Sequence, residues 1–194
     1  MLAFMRHGET DWNRAQRLQG GSDIPLNGTG RAQAVAAAEA MRGQEPGWDL
    51  VVTSPLSRAR ETGQLVAREL GVELGPTYAD LVERSFGSNE GESIAEISPE
   101  DYQRLLEVAE PEEQVIQRAL RAMKAVQRDF PGRNVLMVAH GALIRFAVAY
   151  LQGTEPQRVA NAEVVPVDAA QLTGRLAQHG TGADSGQNHY DDGR

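Results

Sequence analysis

The sequence contains no cysteine. This absence excludes disulfide bonds, thiolate zinc sites and a cysteine nucleophile, and with the nucleophile it excludes the cysteine-dependent phosphatases and proteases. Lysine is nearly absent as well, because Lys124 is the only lysine among 19 basic residues. A site that holds an anion through side-chain charge must therefore use arginine or histidine.

The chain also lacks a dense basic run, and its formal net charge is −8. We therefore expect neither a nucleic acid nor a membrane as a partner. Only five residues precede Arg6 and His7, too few for the apolar segment of a secretory signal, so we expect a cytoplasmic protein. The apolar run 135–151 contains His140 and Arg145, which favours a strand followed by a buried helix over a membrane span.

With 194 residues, 41% of them hydrophobic, the chain has the composition of one globular domain. Apolar runs predict buried strands, and helical periodicity with turn residues predicts helices between them. The predicted strands are 1–5, 49–53, 134–139, 162–167 and 170–177, and the predicted helices are 30–42, 55–70, 98–109, 111–130 and 141–151. This order predicts an α/β fold with three layers, α/β/α, around a mostly parallel central sheet.

Domain boundaries follow from the same patterns. We expect one domain over residues 1–177 and a flexible tail over 178–194, which is rich in Gly, Asp, Ser and Asn. His179 and His189 lie in this tail, and we predict that they are solvated rather than metal ligands.

Two single residues predict local details of the fold. Thr29 is predicted to cap the helix at 30–42, and Pro166 places the strand at 162–167 near a sheet edge.

The ends of the predicted strands carry the polar residues of interest. In a parallel sheet, ligands bind outside the carboxyl ends of the strands. The first strand ends at Arg6 and His7, the third at His140, and Arg58 follows the second by about one turn. Backbone N–H groups at Gly8 and Gly141 and helix dipoles add positive potential there. The sequence therefore predicts a site for a dianion, most simply a phosphoryl group.

Four segments in this order resemble the histidine phosphatase superfamily, which includes the cofactor-dependent phosphoglycerate mutases. They are MRHGETDWNRAQRLQGGSDIPLNGTGRAQA at 5–34, SPLSRARET at 54–62, LVERSFGSNEG at 81–91 and VAHG at 138–141. The resemblance covers the chain from its start to about residue 152, and it implies a phosphoglycerate mutase-like fold.

The resemblance also implies a role for particular residues. It implies that His7 is phosphorylated on a ring nitrogen and that Glu83 is the proton donor. It also implies that the phosphoryl oxygens are bound by Arg6, Arg58 and His140. Asn13 and Gln19 are expected to line the same pocket. Binding contacts are also expected from Gly8, Arg84 and Gly141.

These residue types fit phosphoryl transfer. Neutral His7 can attack phosphorus only if one ring nitrogen keeps its lone pair while a backbone acceptor holds the other N–H. Arg6, Arg58 and a protonated His140 would meet the charge on the phosphoryl oxygens, so we expect no metal and no other cofactor. Glu83 would protonate the leaving alcohol and then activate water.

Three functions remain open at this point. The mutases carry an insertion with further basic residues after the glutamate motif, whereas residues 92–110 are acidic and contain one arginine. This favours the phosphatase branch, that is, a metal-independent phosphomonoesterase acting on a small phosphorylated metabolite. Arg84, a feature shared with the mutases, keeps a phosphoglycerate mutase as the alternative. A non-catalytic module that binds a phospho-ligand is the third, and the oligomeric state stays open, with a homodimer among the options.

Overall fold

The computed structural model describes residues 1–168. Its sheet has five strands in the order β3-β2-β4-β1-β5. The strands are β1 (Leu2–Arg6), β2 (Leu50–Thr53), β3 (Glu73–Thr77), β4 (Val135–Ala139) and β5 (Val164–Val167). β3, β2, β4 and β1 pair in parallel, and β5 is antiparallel to β1 at one edge. The predicted, mostly parallel sheet is confirmed.

Helices cover both faces of the sheet. They are α1 (Asp11–Arg14), α2 (Gly28–Met41), α3 (Ser57–Leu70), α4 (Pro99–Leu106), α5 (Glu112–Asp129) and α6 (Gly141–Gln152). Buried residues of α2 and α3 form one hydrophobic cluster with the sheet, and those of α5 and α6 form a second. The three layers predicted from the sequence are therefore present.

The central strands divide their side chains between these two clusters. In β1, Leu2 and Phe4 pack toward α5 and α6, whereas Ala3 and Met5 pack toward α2 and α3. Successive side chains of a strand point to opposite faces of the sheet. A strand that is covered on both faces is therefore apolar at every position, which is why β1 and β4 read as continuous hydrophobic runs.

The structure corrects several local predictions. Asn27, and not Thr29, caps α2, because its side-chain oxygen accepts a hydrogen bond from the N–H of Gly30 at 2.9 Å. α3 begins at Ser57 rather than at residue 55. α1 and β3 are additional elements; β3 is a largely exposed edge strand containing glycine and proline, so it has no apolar pattern.

Some predictions fall outside the described part of the chain. They are the strand at 170–177, the boundary at residue 177 and the tail at 178–194 with His179 and His189. Within residues 1–168, every helix is too short or too polar to cross a bilayer.

Candidate active site

The carboxyl ends of three neighbouring strands bring the two histidines together. β1 and β4 are parallel neighbours in which Arg6 lies beside Ala139. His7 and His140 each follow these residues directly, and their ring centroids are 5.1 Å apart. Ser54 follows the end of β2 and lies 2.8 Å from His140 through its hydroxyl. The sheet register therefore assembles residues that are far apart in the sequence.

The ring of His7 is held in one tautomer. Its Nδ1 lies 2.7 Å from the carbonyl oxygen of Gly8, so Nδ1 carries the proton and donates it to this oxygen. Nε2 then keeps its lone pair. Burial lowers the pKa of His7 well below its usual value, and the charges of Arg58 and Arg6 lower it further, against a smaller opposing effect of the Gly8 bond. His7 is therefore neutral at neutral pH, as a nucleophile must be.

Burial favours the neutral form of His140 as well, whereas a protonated donor is expected from the sequence. Burial lowers its pKa well below the usual value, and the nearby cations Arg58 and Arg6 lower it further. Nε2 lies 2.8 Å from the Ser54 hydroxyl, and Nδ1 is buried with no partner among residues 1–168. If the hydroxyl donates to Nε2, the neutral ring presents an Nδ1–H donor, so no extra proton is needed for hydrogen bonding to an anion.

Two arginines, the half-buried Arg6 and the buried Arg58, flank the histidines and keep part of their donor capacity free. One terminal nitrogen of Arg6 donates to the carbonyl of Val159 at 2.7 Å. The two terminal nitrogens of Arg58 donate to the carbonyls of Ser22 and Gly20, each at 2.8 Å. Burial lowers the pKa of Arg58 to about 10, so this guanidinium is still charged at neutral pH. A guanidinium has five N–H groups, which leaves several for a ligand.

Unpartnered buried side-chain atoms in the described part of the chain concentrate at this site. They are Nε of Arg6, Nε2 of Gln19, Nε of Arg58, Nδ1 of His140 and Nε of Arg145. All of them are nitrogens. A buried donor without an acceptor costs about 1–3 kcal/mol. An anion that brought several acceptor oxygens here would remove much of that cost.

Glu83 is fixed at the start of α6 by backbone groups. One carboxylate oxygen accepts hydrogen bonds from the N–H groups of Arg84 at 2.8 Å and Leu143 at 3.1 Å, and the other accepts one from Ala142 at 3.1 Å. The carboxylate thus occupies the anion-binding end of the helix. Because a carboxylate oxygen has two lone pairs, the oxygen facing Ala142 keeps one that can carry a proton.

The chain segment before Glu83 is held from the side of α5. Arg118 donates to the carbonyls of Asp80 and Val82, and its guanidinium also pairs with Glu110 at 2.8 Å. These bonds fix the backbone immediately before Glu83. Glu83 is therefore a buried, anchored side chain and not a surface partner of the Arg84 guanidinium.

A cavity of about 490 Å³ opens at this end of the sheet. Two of the expected pocket residues share an anchor in Thr10: its backbone N–H donates to Asn13 Oδ1 at 3.2 Å, and its hydroxyl donates to Gln19 Oε1 at 2.6 Å. The predicted residues that line the cavity are Arg6, His7, Asn13, Gln19, Glu83 and Gly141. His140 and Arg58 are fully buried beside them.

Two residues that were predicted to bind the ligand, Gly8 and Arg84, have other contacts in the structure. The N–H of Gly8 donates to the Thr62 hydroxyl at 3.1 Å, and a side chain at Gly8 would lie 2.3 Å from the carbonyl oxygen of Gly30. Gly8 therefore permits close backbone packing and orients His7, while its N–H is already used. Arg84 is buried outside the cavity lining, where its Nε donates to the carbonyl of Glu110 at 2.7 Å.

The cavity also contains residues that sequence reasoning missed. Four more arginines line it, together with apolar and aromatic side chains from the segment after Glu83. They are Arg14, Arg17, Arg145 and Arg158, with Phe86, Ile94 and Tyr102. Arg145 had a detectable signal, because it follows Gly141 by one helical turn, but Arg158 lies in a loop without any pattern.

Glu90 orders the loop that holds Arg58. Its carboxylate accepts hydrogen bonds from the N–H groups of Gly21 at 2.9 Å and Ser22 at 2.8 Å, and from the Ser22 hydroxyl at 2.6 Å. Burial raises the pKa of Glu90, but these hydrogen bonds outweigh it and lower the pKa overall. Since the Gly20 and Ser22 carbonyls bind Arg58, Glu90 positions this arginine indirectly.

The two buried histidines predict how stability depends on pH. Their pKa values lie well below 6.5 in the folded protein, whereas unfolded histidine titrates near about 6.5. Below this pH the unfolded chain binds more protons than the folded one, so acidification destabilises the fold. We expect the free energy of unfolding from urea titrations to fall by about 3 kcal/mol between pH 7.5 and 5.5.

His7→Gln is the matched variant for this measurement. It removes one of the two titrating rings, so about half of the pH dependence should disappear. Glu90 and Glu110, whose pKa values are lowered, lose their contributions only below pH 4.5 and do not overlap with this window. An unfolding free energy that is unchanged from pH 7.5 to 5.5 would contradict two neutral buried histidines.

Known proteins are similar to this chain in sequence and in fold. The uncharacterised phosphatase PhoE of Bacillus subtilis is 32% identical over 92% of this chain and 93% of that protein. The metal-independent phosphoserine phosphatase of Arabidopsis thaliana is 34% identical over 79% of this chain and 68% of that protein. The mycobacterial glucosyl-3-phosphoglycerate phosphatase, solved with VO3, is 28% identical over 84% of this chain and 88% of that one, with a TM-score of 0.73. Phosphoglycerate mutases occur among the relatives as well.

The family comparison agrees with these pairwise matches. The model of the histidine phosphatase superfamily, branch 1, matches residues 2–182, which is nearly the whole chain. The fold, the paired histidines at the strand ends and this match lead to one conclusion: the chain belongs to branch 1 of the histidine phosphatase superfamily.

Proposed function

We propose that this protein is a metal-independent phosphomonoesterase that acts on a small phosphorylated metabolite through a phosphohistidine at His7. The observation that carries the proposal is the fixed tautomer of His7, whose Nδ1–H is bound to Gly8 and whose Nε2 keeps its lone pair. Among residues 1–168 no cluster of three or more His, Asp or Glu suited to a metal ion occurs. A cytoplasmic location stays a prediction of the sequence.

The first half-reaction transfers the phosphoryl group to the protein. Nε2 of His7 attacks phosphorus, the N–P bond forms, and the bond between phosphorus and the alcohol oxygen breaks. Glu83 gives its proton to the departing oxygen, so the alcohol leaves neutral. Nδ1–H stays bound to the Gly8 carbonyl, which stabilises the positive charge on the phosphorylated ring.

The second half-reaction releases phosphate. A water molecule attacks phosphorus, and the Glu83 carboxylate accepts a proton from it. The N–P bond breaks, its electron pair returns to Nε2 of His7, and inorganic phosphate leaves. The protonated Glu83 is then ready for the next substrate, so one side chain serves both half-reactions.

The charge on the transferring phosphoryl oxygens needs preorganised donors. Within the described part of the chain, Arg6, Arg58, Gln19 and His140 each hold a buried nitrogen without a partner. Donors that are fixed before the reaction stabilise developing charge without a reorganisation cost. This geometry favours turnover over a module that only binds a phospho-ligand, because such a module needs neither an oriented His7 lone pair nor an anchored Glu83.

Arg58→Lys tests the role of the buried guanidinium. Lysine keeps the charge but cannot donate to the carbonyls of Gly20 and Ser22 and to an anion in the same fixed geometry. We expect kcat/KM for p-nitrophenyl phosphate to fall about 10²-fold, measured with EDTA present. Arg60→Lys is the matched control on the same helix, since Arg60 is exposed. Equal activity of both variants would place Arg58 outside the machinery.

A phosphoglycerate mutase is the second candidate, favoured by the mutases among the relatives and by the additional arginines of the cavity. A mutase retains the alcohol and returns the phosphoryl group to it. The two activities are separated by incubating one preparation with 3-phosphoglycerate and quantifying both inorganic phosphate and 2-phosphoglycerate. We expect phosphate to dominate. Interconversion that is stimulated by 2,3-bisphosphoglycerate and exceeds phosphate release would establish the mutase instead.

A further inference from the structure

The cavity is strongly cationic although the whole chain is acidic. Among the described residues, five arginines and one carboxylate, that of Glu83, line it. The chain as a whole has a formal charge of −8. Arg6 and the buried Arg58 suffice to meet one phosphoryl group. Gathering further guanidinium groups costs free energy through mutual repulsion unless an anion occupies the space between them. The excess of positive charge therefore needs an explanation of its own.

Two of these arginines are already engaged. Arg14 pairs with Asp11 at 2.9 Å on the exposed surface of α1. Arg17 donates to the carbonyl of Gly91 at 2.7 Å, which joins the segment after Glu83 to the loop before Gln19. Both have structural partners, so neither is the best candidate for a ligand contact.

Arg145 is different, because within residues 1–168 it has no carboxylate partner. Its Nε is buried without an acceptor, and its guanidinium lies 4.6 Å from the ring centroid of Phe146. Arg145 lies one turn after Gly141 on α6, and it lines the same cavity as Arg6 and His7. The guanidinium is therefore held beside the phosphoryl site and retains free donors.

Arg158 reaches the same part of the cavity from another direction. It precedes Val159, whose carbonyl oxygen accepts the hydrogen bond from Arg6 at 2.7 Å. In the described part of the chain Arg158 forms no ion pair, and its side chain is exposed at the cavity rim. Arg145 and Arg158 both line the cavity together with Arg6. Burial is the main cause that lowers the pKa of Arg6, and the charges of Arg158 and Arg145 lower it as well.

We propose that Arg145 and Arg158 form a second anion subsite, which binds a carboxylate or another anionic group on the alcohol part of the substrate. The substrate class is then a small phosphomonoester with a second negative charge. This inference rests on the proposed function, since it assumes that the phosphoryl group of the same ligand sits at His7.

The subsite also changes what the sequence suggested about the mutase alternative. The sequence offered only Arg84 as an extra cation beside Glu83, because the segment at 92–110 is acidic and lacks the basic residues of the mutases. The structure supplies a second cationic contact from α6 and from the loop before β5 instead. A second anion is therefore compatible with hydrolysis, and the fate of the phosphoryl group, not the binding of a carboxylate, separates phosphatase from mutase.

A matched pair of ligands tests the subsite. 3-Phosphoglycerate and glycerol 3-phosphate differ at one carbon, which is a carboxylate in the first and a neutral CH2OH group in the second. Their dissociation constants are measured by calorimetry in the His7→Gln background, where neither ester can be turned over. We expect 3-phosphoglycerate to bind about 10- to 100-fold more tightly, as for hydrogen bonds to a charged group.

Arg145→Gln and Arg158→Gln, each added to this background, should reduce that preference by about tenfold or more. Arg128→Gln is the control, because it removes the same charge from an exposed residue of α5 outside the cavity. It should leave the preference intact. Equal affinity for the two esters would overturn the proposal, and so would a preference that survives in both the Arg145 and Arg158 variants.

Enzyme inhibition and hydrolase activity of the natural chain provide two independent measurements. The inhibition constants of both esters against p-nitrophenyl phosphate hydrolysis by the natural chain should show the same preference, which guards against a folding defect in the His7→Gln background. If the natural chain has no hydrolase activity, the proposed function fails. The calorimetric preference would still support or overturn the anion subsite by itself.

Discussion

Replacing His7 by glutamine is expected to abolish turnover while leaving the fold intact. The side chain is 2% exposed, but its ring forms one hydrogen bond, to the Gly8 carbonyl, that a glutamine amide N–H can also donate. The amide nitrogen has no lone pair for attack on phosphorus, so the covalent route is lost. We expect kcat for p-nitrophenyl phosphate to fall at least about 10⁴-fold, as when other covalent nucleophiles are removed.

Direct detection of the intermediate completes this experiment. The natural chain is mixed with substrate, quenched at alkaline pH and analysed by mass spectrometry for an acid-labile phosphoryl group on the peptide that contains His7. The same peptide of His7→Gln should carry none. Circular dichroism checks that the variant is folded. Full activity in the glutamine variant, or a phosphoryl group on another residue, would end the phosphohistidine proposal.

The second large effect concerns Glu83 and depends on the leaving group. If Glu83 protonates the alcohol, Glu83→Gln should slow phosphoryl transfer from alkyl phosphates by about 10² to 10⁴. Transfer from p-nitrophenyl phosphate should be much less impaired, because p-nitrophenolate leaves without a proton. Water attack still needs the base, so phospho-His7 should accumulate and p-nitrophenol should appear as a burst equal to the enzyme concentration.

The structural role of Glu83 must be controlled in this experiment. Its carboxylate accepts three backbone N–H groups, and a glutamine amide cannot accept from Ala142 where its NH2 group replaces the oxygen. This costs about 1–3 kcal/mol of stability, which a urea titration would measure. The contrary outcome is a variant that folds but transfers the phosphoryl group more slowly by the same factor from alkyl and aryl esters, with no burst of p-nitrophenol. That result would show that Glu83 holds α6 but does not transfer the proton.

The sequence alone predicted much of the architecture. β1, β2 and β4 are continuous apolar runs because helices cover both faces of the sheet, and this pattern is visible without coordinates. α5 was equally clear, because its apolar residues recur at helical spacing between a proline and a Pro-Gly pair. β3 could not be predicted, since an exposed edge strand has no face to bury.

The residues of the candidate site also include some that the sequence predicted and some features that it could not predict. His7, His140 and Arg58 were identified from their positions at predicted strand ends, which local sequence is able to fix. The lowered pKa of His140 has no local signal in the sequence, because it depends on burial and on three guanidinium groups, those of Arg58, Arg118 and Arg6. The carbonyls that hold Arg58 come from a loop 36 and 38 residues away in sequence.

What the sequence by itself determined is therefore the layered α/β fold and the chemical types gathered at the strand ends. Hydrophobic period and turn residues are local properties, and strand ends in a parallel sheet must meet at one edge. Only the tertiary structure decided that Arg84 lies outside the cavity and that Arg158 lines it. Burial and distance across several elements set those placements, and no local pattern encodes them.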